Sequence, residues 1–145
     1  MEYQESQIFT ERPVNYASFG KRLAASIIDS VIILAVNLLV TYLTSGSVLN
    51  ESGDLLANIA GVVVAWLYSA VLESSVNQAT PGKRLMRIKV TDTEGGRISF
   101  LQATGRHFAK FISSIILFIG YLAMLWDDKN QTWHDKMADT LVVAE

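Results

Sequence analysis

The chain has 145 residues, of which half are apolar and only 18% are charged, with a net charge of −2. The length suits one domain, and the absence of cysteine excludes disulfides, thiolate metal sites and a cysteine nucleophile. With only two histidines, far apart in sequence, a zinc site is not expected. The apolar residues lie in two or three blocks, which is typical of a small integral membrane protein.

The first apolar block covers residues 19–43, after a polar stretch at residues 1–18. That stretch lacks the basic start, short apolar core and cleavage site of a secretory signal, so we expect the block to remain in the mature protein. About 25 residues cross a hydrocarbon core of roughly 30 Å at about 1.5 Å per residue. The block therefore predicts a transmembrane helix that Ser18 could cap.

The second apolar block covers residues 55–72, which is just long enough to span a membrane. Gly61, Ala65 and Ser69 recur every four residues, a spacing of small residues that lets two membrane helices approach closely. We expect this face to pack against the first helix.

Charged residues follow the second block. Glu73 is either solvated, paired with Lys83 or Arg84, or part of a shared polar site. The Pro81-Gly82 turn places Lys83 and Arg84 in a solvated loop or against anionic lipid head groups. The turn lacks the spaced glycines of a phosphate-binding loop.

A strand-like pattern begins next. LMRIKVTD alternates apolar and polar residues, EGG supplies turn residues, and RISF resembles a returning strand. These features predict a small β-hairpin over about residues 84–99.

The third block, at about residues 100–126, is less regular, and Ser99 could cap its start. Its first part, LQATGRHFAK, is typical of a helix lying in the membrane interface. The following 16 residues or so are short for a straight span, so the segment either crosses or enters and returns.

Lysine and arginine set the orientation. The stretch up to Arg22 contains Arg12, Lys21 and Arg22, the loop between the first two blocks has no base, and seven bases lie between residues 83 and 110. The positive-inside rule therefore places residues 1–18 and the hairpin in the cytoplasm. The tail joins them if TLVV pairs with RIKV, which would make the third block re-entrant. The sequence thus predicts an all-α membrane protein with two transmembrane helices, a third short spanning or re-entrant segment and a small cytoplasmic β-hairpin.

A polar stripe runs along the first helix. Arg22, Ser26, Asp29 and Asn37 fall close to one face at 3.6 residues per turn. A central aspartate costs about 2.5–3.5 kcal/mol in a membrane, so this face should meet protein or water. Asp29 either packs against another helix, binds or relays a cation or proton, or lies near a water-filled rim.

The sequence leaves the partner of Asp29 open. Arg22 lies about 10 Å away along the helix axis, too far for a direct pair to be assumed. A long side chain, a bridging water, or a base such as Lys83 or Arg84 are the alternatives.

The tail contains Trp133-His134-Asp135, where adjacent residues do not form a catalytic pair and no nucleophile motif accompanies them. We expect no enzyme, no cofactor and no nucleic-acid partner. Asp135 either pairs with a base of the hairpin or caps a helix.

Three segments carry a family resemblance: FGKRLAASIIDSVII, ESSVNQATPGKRLMRIKVTDTEGGRISF and TWHDKMADTLVV. From Tyr16 to the end, the chain resembles the RDD family of small bacterial membrane proteins, named for one arginine and two aspartates. The resemblance assigns these to Arg22, Asp29 and Asp135, with Asp139 a less favoured second aspartate. It implies one membrane domain at residues 19–145 in the bacterial cytoplasmic (inner) membrane. Asp139 departs from the expected Ala-Gly-Thr.

The resemblance also implies transport of unknown ligands or sodium/proton antiport. Arg22, Asp29, Asn37, Glu73 and Asp135 are then candidates for binding a sodium ion or proton, and a homo-oligomer would be needed to enclose a path. The alternative is a scaffold or accessory protein that binds partner membrane helices or anionic lipids.

Overall fold

The computed structural model describes residues 13–47, 55–115 and 119–145. Two long helices, α1 (Phe19–Ser45) and α2 (Leu55–Glu73), are long and apolar enough to cross a membrane. Both predicted spans are therefore confirmed as helices. α1 ends at Gly46, whose left-handed φ of 70° lets its N–H reach the Tyr42 carbonyl at 2.9 Å. Ser18 precedes α1 without a side-chain capping bond.

A short helix, α3 (Pro81–Leu85), follows α2 and leads into strand β1 (Ile88–Asp92). β1 pairs antiparallel with strand β2 (Thr140–Ala144) from the tail, with Val90 opposite Val142. The pairing of the tail with RIKV is thereby confirmed.

The predicted small antiparallel sheet is present, but its second strand is β2, and RISF does not form the returning strand of a hairpin over residues 84–99. The Asp92 carboxylate closes the turn by accepting hydrogen bonds from the N–H groups of Glu94 at 2.9 Å and Gly96 at 2.7 Å. Ile98 then turns into the core, and a helix begins at Phe100. The hydrogen-bonding edge of β1 is therefore free to pair with β2.

The N-terminal segment lies along the other edge of β2. Tyr16 forms an isolated bridge with Val143, and the Ala17 N–H donates to the Val142 carbonyl at 2.9 Å. Residues 15–17, β1 and β2 therefore lie on one side of the membrane. The chain between β1 and β2 must then cross the bilayer an even number of times, which favours a re-entrant third block.

The third block is two helices and not one. α4 (Phe100–Ile115) is followed by α5 (Ile119–Leu122) and a 3₁₀ turn (Ala123–Trp126), and the axes of the two parts differ by 115°. Gly120 packs so closely that a Cβ there would lie 2.7 Å from the Ser113 Cβ. Ser99 caps α4 as predicted, since its Oγ accepts the Gln102 N–H at 3.1 Å.

The last helix, α6 (Trp133–Met137), precedes β2. The buried core lies where the sheet meets the ends of α1, α2 and α4. Its members are small or β-branched residues: Ala17, Ala25, Ala70, Ile88, Val90, Ile98, Ala103 and Val142. Buried polar and charged side chains, Asp135 and Arg106 among them, lie beside this core.

Candidate functional site

Two polar clusters link the elements at this end of the molecule. The first, which we term the charge network, consists of Arg22, Glu73, Lys83, Arg106, Lys110 and Asp135. The second, which we term the Asp29 cluster, consists of Asp29, Tyr68, Thr80 and Gly82.

Asp135 is the centre of the charge network and is completely buried. One carboxylate oxygen pairs with Arg22 and the other with Arg106. The first of these oxygens also accepts the Thr132 N–H at 3.1 Å, which caps α6. Burial alone would raise the pKa of Asp135, but the guanidinium groups of Arg106 and Arg22 outweigh it and hold that pKa below its usual range.

Arg106 connects Asp135 to Glu73, and both Arg106 and Glu73 are 1% exposed. Its Nε lies 3.1 Å from Glu73 Oε2, and its Nη1 donates to Thr140 Oγ1 at 2.6 Å. Arg106 therefore bonds residues from α2, α6 and β2 at once. Because breaking a buried ion pair costs about 3–5 kcal/mol, this arginine should be a principal link in the fold.

Two lysines complete the network around Glu73. Lys83 pairs with one carboxylate oxygen, and Lys110 Nζ lies 3.7 Å from the same atom. Burial lowers the pKa of Lys83 to about 8, although the neighbouring Glu73 opposes the shift. Of the alternatives left open for Glu73, the pair with Lys83 is therefore present, while Arg84 is exposed.

The Asp29 cluster is held by three hydrogen bonds to one carboxylate. The Tyr68 hydroxyl donates to Oδ1 at 2.9 Å, the Thr80 hydroxyl donates to Oδ2 at 2.5 Å, and the Gly82 N–H donates to Oδ1 at 2.9 Å. Asp29 thus joins α1 to α2 and to the start of α3. Among the alternatives left open for Asp29, a pair with Lys83 is not formed, because Lys83 pairs with Glu73.

Gly82 makes this close approach possible. A Cβ at this position would lie 2.8 Å from the Asp29 Cγ and still nearer to the Ala25 carbonyl oxygen. The start of α3 and the extended Thr80 before it therefore reach the depth of Asp29, about 15 Å from the start of α1 at about 1.5 Å per residue. Non-helical backbone such as that of Thr80 is tolerated at such depth only where protein surrounds it, and here Asp29 of α1 accepts the hydrogen bond of the Thr80 hydroxyl.

Asn37 belongs to neither cluster. It lies about 12 Å beyond Asp29 along α1 at about 1.5 Å per residue. Its Oδ1 is buried without a hydrogen-bond partner, and the Cβ position of Gly61 is 3.5 Å from that oxygen. The predicted packing of the small face of α2 on α1 is confirmed at Gly61.

The structure therefore brings Arg22, Glu73 and Asp135 together, but it keeps Asp29 and Asn37 apart from them. Sequence reasoning missed Arg106, which joins the other three. The available signal was an arginine among the apolar residues of an amphipathic helix, which we interpreted as a base at the membrane interface.

His134 lies beside the charge network. Its Nε2 is 2.9 Å from the Thr132 Oγ1, and its ring centre is 5.0 Å from that of Tyr121. Burial lowers the pKa of His134 to about 2, so this histidine is neutral at physiological pH. Across residues 13–47, 55–115 and 119–145, no three histidine or carboxylate side chains are grouped so that they could hold a metal ion.

Comparison with known proteins identifies relatives of the chain. The model of a family described as the RDD family matches residues 16–139. The Uncharacterized protein YxaI of Bacillus subtilis is 37% identical over 82 residues, which cover 57% of this chain and 54% of that protein. The Proline-rich antigen homolog of Mycobacterium tuberculosis is 36% identical over 97 residues, covering 59% of this chain and 40% of that protein.

A third relative, the Proline-rich antigen of Mycobacterium leprae, is 32% identical over 84 residues, covering 57% of this chain and 33% of that protein. The chain thus matches between a third and about half of the length of these curated relatives. No solved structure matches the chain.

Proposed function

Since the chain belongs to the RDD family, whose model matches residues 16–139, we propose that it is a membrane scaffold or accessory protein and not a transport path. The observation that carries this proposal is the environment of Asp29, whose carboxylate accepts three hydrogen bonds from other parts of the same chain. A carboxylate used in this way holds α2 and α3 against α1.

The charge network supports the same function. Each of its two carboxylates, Glu73 and Asp135, is buried against at least two basic groups of the chain. A cation that entered this region would meet four basic side chains, which would repel it. The network is therefore better suited to joining helices than to passing sodium ions.

The surface of the spans supports a role in binding other membrane components. Most of the apolar side chains of α1 and α2 are exposed, Leu34 and Ile59 among them, so lipid, a second copy or a partner helix can cover them. Anionic lipid phosphates would meet the exposed Arg84 more readily than Lys83, which Glu73 engages. We propose no enzymatic activity and no nucleic-acid partner.

The proposed location is the bacterial cytoplasmic membrane with residues 1–18 in the cytoplasm. Residues 15–17, β1 and β2 lie on the same side of the membrane, so the basic residues that flank them are all on that side. The positive-inside rule assigns that face to the cytoplasm.

A second candidate is sodium/proton antiport by a homo-oligomer, and one observation favours it. Asp29 has no basic partner in the described part of the chain, and the hydroxyl oxygens of Tyr68 and Thr80 lie next to it. Oxygen atoms of this kind suit a sodium ion, and protonation of the carboxylate would compete with that ion.

Proteoliposomes separate the two functions. The unaltered chain and Asp29→Asn are reconstituted, a sodium gradient is imposed, and internal pH is followed with a trapped dye, while the unfolding of both proteins is measured in detergent. The scaffold proposal expects no sodium-driven pH change and a less stable Asp29→Asn variant. A pH change that the folded Asp29→Asn variant loses would overturn the proposal in favour of antiport.

A further inference from the structure

The end of the third block and the polar tail that follows it present large apolar side chains on their surface. Trp126 is 80% exposed and Met137 is 61% exposed, and Leu125 and Trp133 are also exposed. A tail in water would not be expected to expose Trp133 and Met137, and exposed apolar side chains of this size mark candidate interaction surfaces. We term these four residues the tail anchor.

The position of the tail anchor is fixed by Arg22. This arginine lies in the first turn of α1, donates to the Asn130 carbonyl at 2.8 Å and pairs with Asp135. The segment that joins Trp126 to Trp133 is therefore held at the level where α1 begins.

With α1 centred in the bilayer, that level falls at the boundary of the membrane. α1 has 27 residues and so is about 40 Å long, whereas the hydrocarbon core is roughly 30 Å thick. A centred α1 extends about 5 Å beyond the core at each end, which places its first turn among the lipid head groups.

The chemistry of the tail anchor suits this depth. Tryptophan combines a large apolar ring with one N–H donor and is enriched at membrane interfaces. Trp133 and Met137 are four residues apart and share one face of α6, while His134 and Asp135 of the same helix are buried against the protein. α6 thus has one face buried against the protein and one apolar face that the protein does not cover.

We propose that the tail anchor inserts into the head-group and acyl-chain boundary of the same bilayer that α1 and α2 span. The occupant is lipid, because the surrounding bilayer reaches this depth on every side of the helices. The inference requires only that the spans lie in a membrane, and it holds whether or not the scaffold proposal is correct.

Site-directed spin labels test the proposal, since the chain has no cysteine that must first be removed. Leu125→Cys and Met137→Cys are labelled separately and reconstituted in vesicles of phosphatidylcholine and phosphatidylglycerol. Lys129→Cys is the matched control, because Lys129 is exposed and polar and lies between the two test positions. Collisions of each label with oxygen and with a water-soluble nickel chelate are measured.

The labels at positions 125 and 137 should collide more with oxygen than with nickel, at a depth of about 5–10 Å below the head groups. The label at position 129 should show the reverse. Equal nickel access at all three positions would overturn the proposal in favour of a tail in water. Protection from both reagents, with label–label broadening that dilution by unlabelled protein removes, would overturn it in favour of a second copy.

Tryptophan fluorescence gives a readout that needs no label. In Trp66→Phe, the remaining emission comes from Trp126 and Trp133. Lipids brominated near the head-group end of their chains should quench this emission, and aqueous iodide should quench it weakly. Strong quenching by iodide with none by the brominated lipid would contradict the anchor.

Discussion

Replacement of Asp135 by asparagine removes the centre of the charge network with little change in size. Asp135 is completely buried, and its two oxygens pair with Arg22 and Arg106. In Asp135→Asn the charge is lost, and one of these arginines faces an amide N–H group, which cannot accept its hydrogen bond.

The expected loss of stability in Asp135→Asn is large. Removing one partner of a buried ion pair destabilises a protein by about 3–5 kcal/mol, because the other charge is left buried without compensation. Arg106 keeps Glu73 at 3.1 Å, so its charge is partly compensated, and we expect the lower end of this range. The effect should be strongest in α6 and β2, which Asp135 joins to α1 and α4.

The free energy of unfolding is measured by titration with sodium dodecyl sulfate, and amide hydrogen exchange reports on β2. Asp139→Asn is the matched control, since Asp139 is exposed and has a φ of 51°, a conformation that asparagine tolerates. The control should change stability by less than about 0.5 kcal/mol. If both variants are equally stable and β2 exchanges as slowly as in the parent, the reasoning about the network is refuted.

Two further predictions concern Gly82 and His134. Gly82→Ala should lose about 1–3 kcal/mol, because its Cβ would collide with the Ala25 carbonyl. Gly105→Ala, which meets nothing within 4 Å, should gain about 0.5–1 kcal/mol in the same detergent titration, and similar values for the two variants would refute this packing argument. The pKa of His134 is about 2 in the folded chain and about 6.5 when unfolded, so the unfolded chain binds more protons between these values. The free energy of unfolding should therefore fall by about 2 kcal/mol between pH 7 and pH 5, and His134→Gln should remove most of this fall. The same pH dependence of stability in His134→Gln as in the parent would contradict the role of His134.

The two spans could be predicted because block length and hydropathy alone decide whether a helix can cross a membrane. The inward position of Asp29 could also be predicted, since a carboxylate among apolar residues must face protein or water. The actual hydrogen-bond partners of Asp29 could not be predicted, because Tyr68, Thr80 and Gly82 are 39 or more residues away in sequence.

The second strand of the sheet was assigned to the wrong segment because two segments of the chain have the same local pattern. RISF and TLVV are equally strand-like, so alternation does not decide which one pairs with β1. The Ser99–Gln102 capping box was visible in the sequence, however, and it starts a helix at Phe100 that leaves RISF too short for a strand.

Arg106 was missed because α4 reverses the usual amphipathic arrangement. Its apolar residues Leu101 and Phe108 are exposed, whereas Arg106 is buried against two carboxylates. In water the charged face of a helix points outward, but next to lipid the apolar face does. The sequence pattern is the same in both cases, so it does not reveal which face meets the protein.

The return of the tail to β1 underlies both the charge network and the tail anchor, because it brings Asp135 and Trp133 back to the start of α1. Lys89 and Val143 are directly opposite in the sheet, and both are partly exposed. Opposed residues of paired strands have Cβ atoms about 4.5–5.5 Å apart, close enough for a disulfide after a small adjustment.

The most direct measurement is oxidation of the double variant Lys89→Cys and Val143→Cys in native membranes, with Lys89→Cys and Lys129→Cys as the control pair. We expect rapid intramolecular disulfide formation in the first pair and little in the second. No disulfide in the first pair, with both thiols reactive from opposite sides of the membrane, would contradict the pairing of the tail with β1.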